Sequence, residues 1–95
     1  MKGYVLGEIE ITDQATFAQY GKQVPATITQ YGGRYLVRGG NSETKEGDWA
    51  PRRVVVLEFP SMERARRWYD SPEYKPLLAI RSKAARSQMI FVEGV

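Results

Sequence analysis

Five residues between positions 68 and 81 hold most of the chain's reactive chemistry: Trp68, Tyr69, Ser71, Tyr74 and Arg81. Tyr74 and Arg81 lie two helical turns apart, so on a helix they share a face and could hold an acidic, aromatic-bearing ligand by hydrogen bond and guanidinium pairing. The plainer alternative is a core tyrosine and an arginine tied to a carbonyl or carboxylate. Adjacent helical positions diverge by about 100°, which turns one of Trp68 and Tyr69 to a sheet and the other to a groove. Ser71 stands where a helix needs a capping oxygen. Upstream, Arg38 precedes Gly39-Gly40, where a planar guanidinium beside side-chain-free backbone could grip a carboxylate; its alternative is an ion pair with Glu58 or Glu8. Glu8 and Glu58 are the only plausible general bases on the inner face of the expected sheet, and either would need its pKa raised by burial to act near neutrality. Together with Tyr74, Glu58 heads the catalytic candidates. Tyr20, Tyr31 and Tyr35 could donate protons, although aromatic residues at such spacings usually build core.

Two absences narrow the mechanism further. The 95 residues include no cysteine and no histidine, which removes disulfides, thiolate nucleophiles, imidazole bases, the Ser-His-Asp triad and histidine-ligated haem or zinc. Glu8 and Glu10 share a strand face, but two carboxylates without further oxygen ligands make no convincing metal site, and no cofactor is expected. Gly32-Gly33 follows a helix instead of leading from a strand into one, so it is not a dinucleotide fingerprint. The net charge of +3 is uneven: residues 1–50 carry 5 basic and 6 acidic groups, residues 51–95 carry 9 and 5. Arg64, Arg66, Arg67, Lys83 and Arg86 form a basic stripe without interleaved aromatics, which reads as a solvated face and not as a nucleic-acid site. No run of about 20 apolar residues exists, and the N-terminus enters strand-like sequence directly, so the expectation is a soluble cytoplasmic protein with no membrane contact.

The elements that must position these groups follow from periodicity. Tyr4 to Ile11 alternates as a strand, with Val5, Ile9 and Ile11 on one face and Tyr4, Leu6, Glu8 and Glu10 on the other. Thr12-Asp13 offers an N-cap, and Phe17, Tyr20, Val24, Ile28 and Tyr31 predict a helix from about Asp13 to Tyr31 that Pro25 should kink or restart near Gln23. Gly32 suits its left-handed end. Arg34 to Arg38 is a second strand, with Arg34, Leu36 and Arg38 on one face. Asn41 to Arg52 is a polar connection with Trp49 as its anchor and a lid or dimer arm as its expected role. Arg53 to Phe59, with four consecutive aliphatics, reads as the central strand. Ser61 caps a helix carrying Ala65, Trp68 and Tyr69, and Ser71-Pro72-Glu73 starts another to about Ala85, irregular at Pro76. Gln88 to Glu93 is the last strand.

This βαββαβ order predicts one α+β domain over residues 1–95, a ferredoxin-like four-stranded antiparallel sheet with helices on one face. Both sheet faces carry apolar residues: Val5, Ile9, Val37 and Leu57 against Leu6, Leu36, Val54, Val56 and Val92. The uncovered face should therefore pack on a second copy. Glu8, Arg38 and Glu58 are expected on that same face, either paired or lining a wet cavity.

The segments YGGRYLVRGG, RRVVVLEFPS, WYDSPEYKPLLAIR and the terminal FVEG together resemble the bacterial domain-of-unknown-function family 1330, over nearly the whole chain. The resemblance implies membership of the dimeric α+β barrel superfamily, whose relatives include cofactor-free monooxygenases, muconolactone isomerase-like proteins and haem-degrading or haem-peroxidising enzymes. It implies a homodimer in which two sheets close a barrel, and it supplies no catalytic residue set. The expected function is binding of a small anionic or aromatic organic molecule between sheet and helices by Arg38, Glu58, Trp68, Tyr69, Ser71, Tyr74 and Arg81. The alternatives are a cofactor-free oxygenase or isomerase using Glu, Tyr and Arg, and a non-catalytic structural or stress-related accessory protein.

Overall fold

The alternating β1 (Gly3–Ile11) and the aliphatic run of β3 (Val54–Phe59) are the inner strands of one antiparallel sheet, flanked by β2 (Arg34–Arg38) and β4 (Ala85–Glu93) in the order β2-β3-β1-β4. The computed structural model describes all 95 residues and adds α1 (Gln14–Gln30), α2 (Met62–Tyr69) and α3 (Lys75–Ala84) on one side of that sheet. The expected ferredoxin-like α+β arrangement is the one observed. With a smallest dimension of 16 Å the domain is two layers thick, which leaves the second sheet face without a cover.

Local signals place the helix ends. Asp13 accepts from the Thr16 amide at 3.1 Å and opens α1; Gly32, at φ +81°, closes it, its amide and that of Gly33 reaching back to Thr29 and Ile28. Ser61 caps α2 through the Arg64 amide at 3.1 Å. Pro25 does not interrupt α1 as the sequence suggested. A proline at position 25 leaves the Gly21 carbonyl without its intrahelical donor, and Arg38 fills the vacancy, its Nη2 donating to Gly21 O at 2.8 Å. Regular α3 begins at Lys75 and not at Pro72, because Pro76 cannot donate to the Pro72 carbonyl. Ser71 instead organises the turn before it, accepting from the Tyr74 amide at 3.1 Å and donating to Trp68 O at 2.7 Å. β4 starts three residues earlier than expected, since α3 runs straight into it and Ala85 already pairs with Ile11.

One irregularity changes the faces. The β2–β3 register slips between Tyr35 and Val37, so Tyr35 lies opposite Leu57 while Val37 lies opposite Val56 and Arg38 opposite Val55. A single extra residue reverses the parity of the rest of the strand. Arg38 therefore points to the helices, not to the open face with Glu8 and Glu58, and Val37 takes the open face in its place. Trp49 lies on the sheet side that no helix covers. It is 65% exposed and leans on the open face beside Leu6, Val54 and Ile90.

Trp68 is the centre of the core. Its ring packs on Phe59 of the sheet (5.4 Å between centroids) and Tyr74 (4.2 Å), and its indole N–H donates to Thr27 Oγ1 of α1 at 3.0 Å. Thr27 in turn donates to Val24 O at 2.8 Å. Thr27→Val strands a buried donor and should cost about 1–3 kcal/mol, whereas Thr27→Ser should retain most of the stability. Urea unfolding checks this, and an unchanged midpoint in Thr27→Val would show that the hydroxyl contributes nothing.

Candidate functional site

Between the sheet and the helices lies a cavity of about 30 Å³, walled mostly by apolar side chains that include Phe17, Val24, Leu57 and Trp68. Its polar lining is unusual: Arg38, Arg53 and Arg81 with Tyr20 and Tyr35, and not one carboxylate. Each arginine arrives from a different element. Arg38 comes from β2 by way of the bulge, lies over the Tyr35 ring at 4.6 Å and bonds Gly21 O. Arg53 precedes β3 and shares the inward alternation of Val55 and Leu57. Arg81 comes from α3, where it is 5% exposed.

Arg81 and Tyr74 meet as their spacing predicted, Nη1 donating to the phenolic oxygen at 2.9 Å, and a third partner joins them: Tyr20 OH lies 2.9 Å from Tyr74 OH. Burial, then the neighbouring Tyr20, pushes the Tyr74 phenol well up, so it stays protonated and serves as a link between α1 and α3. The Arg81 partner is thus a hydroxyl, neither of the acceptors anticipated. Burial likewise raises Tyr35. Two fully buried donors in this region have no acceptor, Nε of Arg81 and Nε of Arg53.

The other anticipated site residues separate into three groups. Arg38, Trp68 and Arg81 line the cavity. Tyr74, Tyr69 and Ser71 stand behind it: Tyr69 packs on Phe91, Tyr74 and Trp68, and Ser71 holds its turn. Tyr69 is therefore half-buried and packs against the edge of the core beside Trp68. Glu58 belongs to the opposite side of the sheet. There it accepts from Arg34 Nε at 2.9 Å and Tyr4 OH at 3.0 Å, with Lys2 Nζ at 3.5 Å. The Arg34 hydrogen bond, partly opposed by desolvation, holds its carboxyl below the ordinary range, the reverse of what a general base near neutrality requires. Neither expected partner of Arg38 is used, for Glu8 and Glu58 lie across the sheet from it. Arg53 was overlooked in the sequence although its alternation with Val55 and Leu57 marks its face. On the surface, Arg67 pairs with Glu63 at 2.6 Å, which consumes part of the basic stripe.

These features define a ferredoxin-like α+β domain with a basic, tyrosine-lined cavity between sheet and helices. The chain belongs to the family described as Domain of unknown function (DUF1330), whose model matches residues 2–95. No curated protein sequence matches it. Among solved structures, a protein of unknown function from Rhodopseudomonas palustris is similar at 18% identity and TM-score 0.78, covering 99% of this chain and 82% of its own. SnoaB, a cofactor-independent oxygenase from Streptomyces nogalater, superposes at 11% identity and TM-score 0.68 over 99% and 93%. A dimeric ferredoxin-like protein of unknown function from Jannaschia does so at 11% identity and TM-score 0.67 over 99% and 100%. At these identities the likeness is one of fold.

The lowered Glu58 pKa fixes the sign of one pH effect. Its ion pairing stabilises the fold above the ordinary carboxylate value near 4.5 and is lost as pH falls through the lower folded-state value. Glu58→Gln should therefore be less stable than the wild type at neutral pH and lose less stability on acidification, with a residual slope from Asp13 and Glu73, which are also lowered. Urea midpoints from neutrality to about pH 2 test this, and parallel acid limbs in the two proteins would contradict it.

Proposed function

We propose that the protein is a homodimer in which each subunit binds a small organic anion in the cavity between sheet and helices. The observation that carries this reading is Arg81: a guanidinium nine-tenths buried, with Nε unpaired, in a cavity that holds two further arginines and no acid. A buried charge without a counter-ion is costly, and an anionic guest removes that cost. The mainly apolar remainder of the wall suits an aliphatic or aromatic body. An enzymatic version has the fold of a cofactor-independent oxygenase as its precedent. Binding without acid–base catalysis is the better-supported reading, because the cavity offers no carboxylate and no imidazole to take up a proton near neutrality.

The dimer part rests on area. A monomer of 10.8 kDa is expected to expose about 5,500 Å², while this chain exposes 6278 Å². An excess of about 700 Å² over that expectation marks a chain with surface left uncovered. Leu6, Val37, Ile90 and Val92 supply exposed apolar surface on the open face.

A thermal-shift screen of organic acids should give binders that raise Tm by mass action, and Arg81→Met should abolish the shift; equal shifts in both proteins would refute the cavity as the site. In sedimentation the wild type should be dimeric and Ile90→Glu monomeric. A monomeric wild type at high micromolar concentration would overturn the sheet-to-sheet reading.

A further inference from the structure

Arg53 differs from its two neighbours. Arg38 donates to Gly21 O and Arg81 to Tyr74 OH, but the Arg53 guanidinium makes no hydrogen bond and no ion pair. Its only partner is the Phe17 ring, 5.8 Å away. It rests against Gly39, where φ is +71° and an added Cβ would overlap Nη1. Beyond it opens a groove of about 320 Å³ formed by Ile9, Glu10, Ile11, Gly39, Arg52 and Arg53. Arg53 and Ile9 line both this groove and the cavity. Ile9 is fixed by the ladder, its amide bonding Arg53 O at 2.8 Å, which leaves the untethered arginine side chain as the movable part of the wall.

From this arrangement we propose that Arg53 is the entrance and the selectivity residue of the cavity, swinging aside to admit a compact aromatic carboxylate and pairing with its charge from the displaced position. The inference rests on the binding reading above. The cavity has room for water but not for a ring, so a guest must displace part of the wall, and of the three arginines Arg53 is the one that no hydrogen bond holds. The ligand class follows from the donors left over. Nε of Arg53 and Nε of Arg81 are the two buried donors without acceptors, and one carboxylate offers two oxygens and one negative charge. The flat faces of Tyr35 and Phe17 beside the guanidiniums favour a planar body.

Benzoate and its neutral counterpart benzamide are the probes. Titration is followed by tryptophan fluorescence in a Trp49→Phe background, which leaves Trp68, a cavity residue, as the sole reporter. Benzoate should bind and benzamide should not. Arg53→Met, which keeps the apolar stem over Phe17, should weaken benzoate about tenfold or more, as loss of a hydrogen bond to an ion predicts. The loss should lie in faster dissociation while association is no slower, and Arg53→Lys should recover part of the affinity. Benzoate binding equally to wild type and Arg53→Met but lost in Arg81→Met would overturn the role of Arg53 and leave the cavity reading intact. Equal binding of benzoate and benzamide, or of neither, would overturn the carboxylate assignment. Absence of any hit in the wider acid screen would remove the cavity reading with it.

Discussion

Trp68 joins the sheet to the helical layer. Phe59 brings the sheet to it, Thr27 brings α1, and Tyr69 and Tyr74 bring the junction of α2 and α3. A two-layer domain of this length has one face on which to build a core, so a single large side chain at the crossing point fixes the distances among all layers. The position of α3 relative to α1 is then completed by the Arg81–Tyr74–Tyr20 chain. Because that chain uses hydroxyls instead of a carboxylate, it satisfies part of the guanidinium's donor set and leaves the charge unneutralised. The polarity of the cavity is thus a consequence of how the helices are joined.

The two faces of the sheet treat charge in opposite ways. On the open side Glu58 collects Arg34, Tyr4 and Lys2 into one cluster along a cross-strand row, saturated within the subunit. On the helix side, three arginines meet no acid. A saturated cluster sets alignment, in this case holding β2, β3 and the N-terminus in step, and it has little left to offer a ligand. Donors without acceptors have that capacity, and they lie on the other face.

Much of this was readable from local pattern. The βαββαβ succession of elements, the Asp13 and Ser61 caps, the Gly32 terminus and the meeting of Tyr74 with Arg81 each depend on residues close in sequence, where periodicity and capping chemistry operate. What escaped depends on long-range pairing. No glycine, proline or break in period marks the slip between Tyr35 and Val37, because it arises from the match of β2 to β3 and not from β2 alone. That one residue moved Arg38 from the company of Glu8 and Glu58 to that of Arg53 and Arg81. The partners of Glu58 were equally hidden, since Arg34 and Tyr4 become its neighbours through register. Arg53 carried a visible signal, its alternation with Val55 and Leu57, which its place at the head of the strand obscured.

The bond from Arg38 to Gly21 also bears on how the chain assembles. Helices usually consolidate early because every bond they need lies within the same segment, yet Pro25 leaves one carbonyl of α1 with nothing but water until an arginine from the following strand reaches it. The middle of α1 is therefore completed only after β2 has docked in its bulged alignment, since the unslipped alignment would send Arg38 to the far side. Helix and strand thereby check one another during folding, and correct strand alignment is rewarded inside a helix that could otherwise form without it.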